Sequence, residues 1–125
     1  MTRFKSSSVI ESLSNAIRGL KLALFSQRNF KIEVCIAIVV LILAFSLKFS
    51  QTDICIIVLT IAMVLICEML NSIIEFTLDA TYKNTYSKLV EMAKDMSAGM
   101  VLLSAIISVI VGLLLFGKYL INYFL

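Results

Sequence analysis

Proline, histidine and tryptophan are absent from these 125 residues; glycine occurs four times, cysteine three times, and charged residues make up only 15%. The glycines (Gly19, Gly99, Gly112, Gly117) fall in no Walker A or dinucleotide loop, which excludes a glycine-rich backbone cradle for phosphates. The cysteines (Cys35, Cys55, Cys67) lie singly inside apolar segments, without metal-ligand spacing. Their odd number argues against a disulfide framework, and they read as small buried hydrophobes. The net charge is only +3, with basic residues spread thinly between greasy runs, which argues against a DNA or RNA interface. What abounds is hydrocarbon: 61% of residues are hydrophobic and the mean hydropathy is +1.04. A soluble domain of this length is rarely so apolar, so the chain reads as one integral membrane domain over 1–125, all α-helical.

Four segments follow. Residues 5–27 carry Val9/Ile10, Leu13, Ala16/Ile17, Leu20 and Ala23/Leu24 at helical spacing, with Glu11, Ser14, Arg18 and Lys21 mostly elsewhere on the wheel. This segment is too polar to span, lacks the pattern of a signal peptide, and reads as a helix lying in the headgroup plane. A first span covers 32–49, with Lys48 free to snorkel at its end, and a polar hinge, Ser50-Gln51-Thr52-Asp53, turns the chain back. The second span covers 54–78 and the third 96–116, separated by a polar connection over 79–95. Ser104, Ser108 and Gly112 repeat every fourth residue, the pattern that lets membrane helices approach closely. Lys118, Tyr119, Tyr123 and Phe124 read as an interfacial anchor.

Basic residues set the orientation. Arg3, Lys5, Arg18, Lys21, Arg28 and Lys31 precede the first span, and Lys83, Lys88 and Lys94 lie in the 79–95 connection. The positive-inside rule therefore places the N-terminus and that connection in the cytoplasm, with the hinge and C-terminus outside.

The chemistry concentrates at the end of the second span. Its apolar stretch, broken only by Thr60, stops at Cys67, short of the roughly 20 residues a crossing needs. The helix must continue through Glu68, Asn71, Ser72, Glu75 and Asp79. With Glu68 at zero, these fall at about −60°, +40°, −20° and +20°, one polar stripe on an otherwise apolar helix. A carboxylate at the bilayer centre costs about 2.5–3.5 kcal/mol on insertion scales, so such residues point to function. A bundle-facing pair satisfied by Lys94 is the structural alternative. Glu68 and Glu75 lie about 10 Å apart along the axis, too far to share one ion easily. Glu75, at the membrane boundary, suits a Mg²⁺ that arrives with phosphates. Glu68, deeper and partly desolvated, is the better general base. Asn71 can orient either, and Lys94 offers phosphate a point charge. The set suits phosphoryl transfer to a hydroxyl at the membrane boundary. Physics alone leaves a kinase, an ion carrier and a non-enzymatic pore open.

The run Glu68-Met69-Leu70-Asn71-Ser72-Ile73-Ile74-Glu75, then Asp79, then Ala93-Lys94-Asp95-Met96, resembles the prokaryotic diacylglycerol kinase family, which includes undecaprenol kinases. The resemblance covers nearly the whole chain. It implies a homotrimer in the bacterial cytoplasmic (inner) membrane that phosphorylates a lipid hydroxyl with MgATP, with active sites between protomers. The expected reaction turns diacylglycerol into phosphatidic acid; undecaprenol is the alternative acceptor. By the same resemblance Glu68 is the catalytic base, Asn71 and Glu75 a polar and metal-binding pair, and Lys94, Asp95 and Asp79 face the nucleotide. Where the family has a metal-holding glutamate before the first span, this chain has Gln27. Glu33 either compensates as a metal ligand, pairs with Lys31 or Arg28, or sits at a helix N-terminus favoured by its dipole. In a cysteine-free background, an impermeant thiol reagent added outside should label a cysteine placed at Gln51 and miss one at Asn84. The reverse pattern would invert the topology and put the stripe out of reach of cytoplasmic ATP.

Overall fold

The computed structural model describes residues 8–83, 85 and 87–125. Four helices follow one another: α1 (Val9–Ser26), α2 (Arg28–Ser46), α3 (Gln51–Tyr82) and α4 (Lys88–Phe124). The last three are long and apolar enough to cross a membrane, with mean hydropathies of 2.1, 2.5 and 2.7. Their apolar side chains mostly face outward, as lipid contact allows and water would not. α4 packs along α3, α2 packs against α3, and α1 rests on α2.

Ser8 caps α1, its hydroxyl accepting the Glu11 N–H at 3.1 Å. Of the expected helix over 5–27, residues 5–7 lie outside the described set. Val9, Ile10, Leu13 and Leu20 are exposed, and Ala23 is the buried residue of the helix. The apolar stripe therefore points away from the other helices, as a helix seated in a headgroup layer requires. Gln27 is not helical; its extended backbone forms the joint between α1 and α2.

The first span ends earlier than 49. α2 stops at Ser46, and Lys48 takes a left-handed φ of 60°. The Lys48 N–H bonds to the Phe45 carbonyl and the Phe49 N–H to the Ala44 carbonyl, both at 3.1 Å. This is a Schellman ending with lysine where glycine is usual, and Phe49 folds back into a cluster with Ala44 and Ile57. The expected hinge at 50–53 is thus displaced to 47–50. Ser50 caps α3 by accepting the Asp53 N–H at 3.1 Å, so Gln51, Thr52 and Asp53 are already helical.

Asp53 is buried and reaches across to α4. Its Oδ2 accepts from Tyr119 Oη at 2.6 Å and from Lys118 Nζ at 2.9 Å. The Ser50 N–H donates to the same Tyr119 oxygen at 2.8 Å, and Phe49 stacks on the Tyr119 ring with centroids 4.1 Å apart. Lys118 and Tyr119, expected as an interfacial anchor, also pin the α2–α3 turn to α4. Tyr123 and Phe124 stay exposed.

The polar connection expected over 79–95 is also mostly helical. α3 continues to Tyr82 and α4 begins at Lys88, leaving only 83–87 between them. At 1.5 Å per residue α3 is about 48 Å long and α4 about 55 Å, both longer than a hydrocarbon core of about 30 Å.

Asp53→Ala should lower the midpoint of thermal unfolding in detergent more than Lys88→Ala. The latter loses only an exposed 3.5 Å pair with Glu91, whereas the former leaves the Tyr119 hydroxyl and the turn without their anchor. Equal midpoints would show that the Asp53 clamp does not hold these helices together.

Candidate active site

The stripe on α3 is one continuous helical face, graded from buried to exposed. Glu68 and Ser72 are buried at 3% and 6% exposure, Asn71 is half-buried, and Glu75 and Asp79 are exposed. A straight helix holds them in line because each lies three or four residues from the next.

α4 supplies two partners along this face. The Ser97 hydroxyl donates to Asn71 Oδ1 at 2.7 Å, and Asn71 Nδ2 donates in turn to Glu75 Oε1 at 3.3 Å. One turn further on, Lys94 Nζ meets Asp79 Oδ1 at 2.7 Å. Both side chains of that pair are substantially exposed, so it contributes little stability and yields readily to a stronger anion. Lys94 is thereby held over the exposed end of the stripe. Asp95 is exposed and makes no hydrogen bond or ion pair among the described residues.

The third contribution comes from the α1–α2 joint. The Ser72 hydroxyl lies 3.3 Å from Gln27 Oε1 and 3.2 Å from the Glu68 carbonyl. Gln27 therefore reaches the stripe, and its amide nitrogen is 3.3 Å from Ser26 Oγ. Glu33 is placed differently. It makes no ion pair with Lys31 or Arg28 among the described residues, and its Oε2 is buried without a hydrogen-bond partner. The pairing alternative fails because Lys31 lies two residues away and Arg28 five, and neither spacing makes neighbours on a helix face. Glu33 instead lines an apolar cavity.

Among the described residues no three histidine, cysteine, aspartate or glutamate side chains converge as a metal cage. Mg²⁺ does not need one: it keeps its waters and takes one or two carboxylates together with substrate phosphates. The exposed Glu75 carboxylate, with the Gln27 amide oxygen on the same face, fits that mode.

Ser97 was not among the candidate residues. Its signal was present, since Ser97 precedes Ser104 by seven residues and follows Lys94 by three, which extends the small-residue stripe back to the lysine.

A family model described as "Prokaryotic diacylglycerol kinase" matches residues 14–116. The chain belongs to that family. It is 36% identical over 104 residues to the diacylglycerol kinase of Synechocystis, covering 83% of this chain but only 59% of that longer protein. It is 37% identical over 106 residues to the undecaprenol kinase of Bacillus subtilis, covering 85% of both. The matched residues 14–116 of this chain include the stripe, Lys94 and Gln27.

Proposed function

We propose that the chain is a lipid kinase that transfers the γ-phosphoryl group of ATP to the hydroxyl of a membrane lipid. The carrying observation is the convergence on one α3 face of a buried carboxylate, a hydrogen-bonded Asn71–Glu75 pair and the Lys94 ammonium from α4. An ion carrier or pore gives no reason for the lysine opposite the acids. Family membership supports the same reading.

In this mechanism Glu68 accepts the proton of the acceptor hydroxyl, whose oxygen attacks the γ-phosphorus. The new O–P bond forms as the bond to the β–γ bridging oxygen breaks, and ADP leaves with that electron pair. The proton stays on Glu68 until solvent takes it. Lys94 exchanges Asp79 for phosphate oxygens, offering up to three N–H donors. Asn71, itself fixed by Ser97, keeps Glu75 turned toward the phosphate side. Glu75, with Gln27, would hold Mg²⁺ delivered with the nucleotide, and the bound ion supplies neutralisation of phosphate charge. Asp95 faces the nucleotide beside Lys94.

The exposed end of the stripe also supports a homotrimer, because three thin helices cannot wall off Glu75 and Asp79 from lipid by themselves. A cytoplasmic placement of that end in the bacterial inner membrane gives it access to ATP, consistent with the distribution of basic residues. Diacylglycerol is the first acceptor to test. Undecaprenol is the second, favoured by the even 85% coverage against the Bacillus enzyme. Thin-layer assay of both lipids with radiolabelled ATP tests the activity directly, and phosphorylation of neither overturns it.

Glu68→Gln should lower turnover by about 10²-fold or more, within the range for loss of a general base, while leaving MgATP binding intact by titration calorimetry. Near-normal turnover in the folded variant would remove Glu68 from the role. Gln27→Glu adds a charged oxygen ligand, so it should reduce the free Mg²⁺ needed for half-maximal rate, with magnesium titration as the readout. An unchanged requirement would place Gln27 outside the metal's reach.

A further inference from the structure

Gln27 is the pivot between α1 and α2, and its backbone is fixed on both sides. Its N–H donates to the Ala23 carbonyl and its carbonyl accepts from the Lys31 N–H, each at 3.1 Å. Only the side chain is left to choose an orientation. A primary amide has ends of similar shape and opposite chemistry: the oxygen accepts hydrogen bonds and can ligate a cation, whereas the NH₂ group only donates. The end that faces the α3 stripe therefore decides whether Gln27 can serve a metal at all.

Hydroxyls flank the amide on either side at equal distance. Gln27 Nε2 lies 3.3 Å from Ser26 Oγ, and Gln27 Oε1 lies 3.3 Å from Ser72 Oγ. Distance favours neither polarity, so the hydroxyl protons decide. A serine hydroxyl has one proton, and once that is spent the oxygen meets other neighbours as an acceptor. The Ser26 proton is spent on the Leu22 carbonyl at 2.5 Å, one turn back on α1. Ser46, Thr60 and Thr81 turn back on their own helices in the same way, at 2.8, 2.7 and 2.8 Å. Ser26 Oγ is thereby left as an acceptor, and it draws the amide nitrogen. Ser72 is committed more loosely. Its oxygen lies 3.2 Å from the Glu68 carbonyl and 3.3 Å from Gln27 Oε1, so its proton is shared with the amide oxygen. Turning the amide over would take Ser26 off Leu22, the shorter of these bonds.

We propose that Ser26 is a positioning residue that sets the polarity of the Gln27 amide, turning its oxygen toward α3 and its nitrogen away. The inference rests on the lipid kinase reading and deepens it, since that reading asks Gln27 to hold Mg²⁺ with Glu75. Ser26 touches neither metal nor substrate. It supplies preorganisation, because apparent affinity falls with the fraction of molecules whose ligand is turned the right way. A carboxylate has equivalent oxygens and no polarity to set. Ser26 therefore matters only while residue 27 is an amide, and that dependence is the signature of the role.

Nuclear magnetic resonance and a magnesium titration test this. The chain has two glutamines, Gln27 and Gln51, so glutamine-selective ¹⁵N labelling gives two side-chain amide signals, told apart by Gln51→Ala. In the wild-type protein the Gln27 amide protons should show nuclear Overhauser contacts to the Ser26 β-protons. In Ser26→Ala the contacts should pass to the Ser72 β-protons. Ser26 is exposed and alanine is the better helix former, so this variant keeps the fold. Ser26→Ala should also raise the free Mg²⁺ needed for half-maximal lipid phosphorylation by about three- to fivefold, the factor that one net hydrogen bond lends to an orientation equilibrium. Ser26→Thr keeps both the back-bond and the acceptor and should restore the wild-type requirement. In a Gln27→Glu background, Ser26→Ala should not move the requirement. A rise of equal size in both backgrounds would assign Ser26 to holding the joint and overturn the proposal. An unchanged requirement in Ser26→Ala, or wild-type contacts to Ser72 alone, would overturn it too. The resonance measurement needs no turnover. Contacts to Ser26 that are lost to Ser72 in Ser26→Ala, in a protein that phosphorylates neither lipid, would defeat the kinase reading and leave the Ser26 assignment standing.

Discussion

A carboxylate carried into a membrane must be kept from bare hydrocarbon, and most of this structure serves that end. Glu68 sits on a helix whose other faces meet lipid, yet it is buried at 3% exposure. α4 closes one side of it and the α1–α2 joint brings Gln27 to Ser72 on the same face. The small residues Ser97 and Ser104, both buried on α4, let the two long helices approach closely enough to give that cover. Polarity then increases along α3 toward the exposed Glu75 and Asp79. A gradient of this kind gives one helix a desolvated carboxylate at depth and solvent-accessible ones at its end.

The second constraint is the hydrogen-bonding demand of the backbone in a solvent without water. It explains why nearly every described residue is helical and why the breaks are short. Each break is made with local bonds: Gln27 donates back to Ala23, Lys48 and Phe49 bond to α2 carbonyls, and Lys83 donates to Asp79. The turn at 47–50 then borrows Tyr119 from α4 to satisfy Ser50. Secondary structure and tertiary packing are therefore tied together at the points where the chain reverses.

Much of this was legible in the residues. The alignment of Glu68, Asn71, Ser72, Glu75 and Asp79 followed from the helical period alone, and the three spans from their apolar length. What escaped had specific causes. The polarity of Ser-Gln-Thr-Asp suggests a turn at 50–53, but it marks a capped helix start. Lys48 gave no warning of a left-handed residue, a role usually signalled by glycine. The polarity of 79–95 suggests a connection in the same way, although helix extends into it from both sides. Asp53 and Lys118 lie 65 residues apart, and no local pattern announces such a pair. Glu33 shows the limit of local pattern: its neighbours in sequence are basic, while the cavity it lines is apolar.

The uninterrupted length of α4 has a mechanical consequence. Lys94, which meets Asp79, and Lys118, which meets Asp53, belong to one rod, 24 residues or about 36 Å apart along the axis. A helix of this kind resists twisting between its ends, so the angular setting imposed at one terminus is transmitted to the other. The distant clamp at Asp53 therefore acts as an alignment key for the lysine that meets Asp79. Alterations on the membrane face far from the chemistry would be felt as misorientation of that single ammonium group.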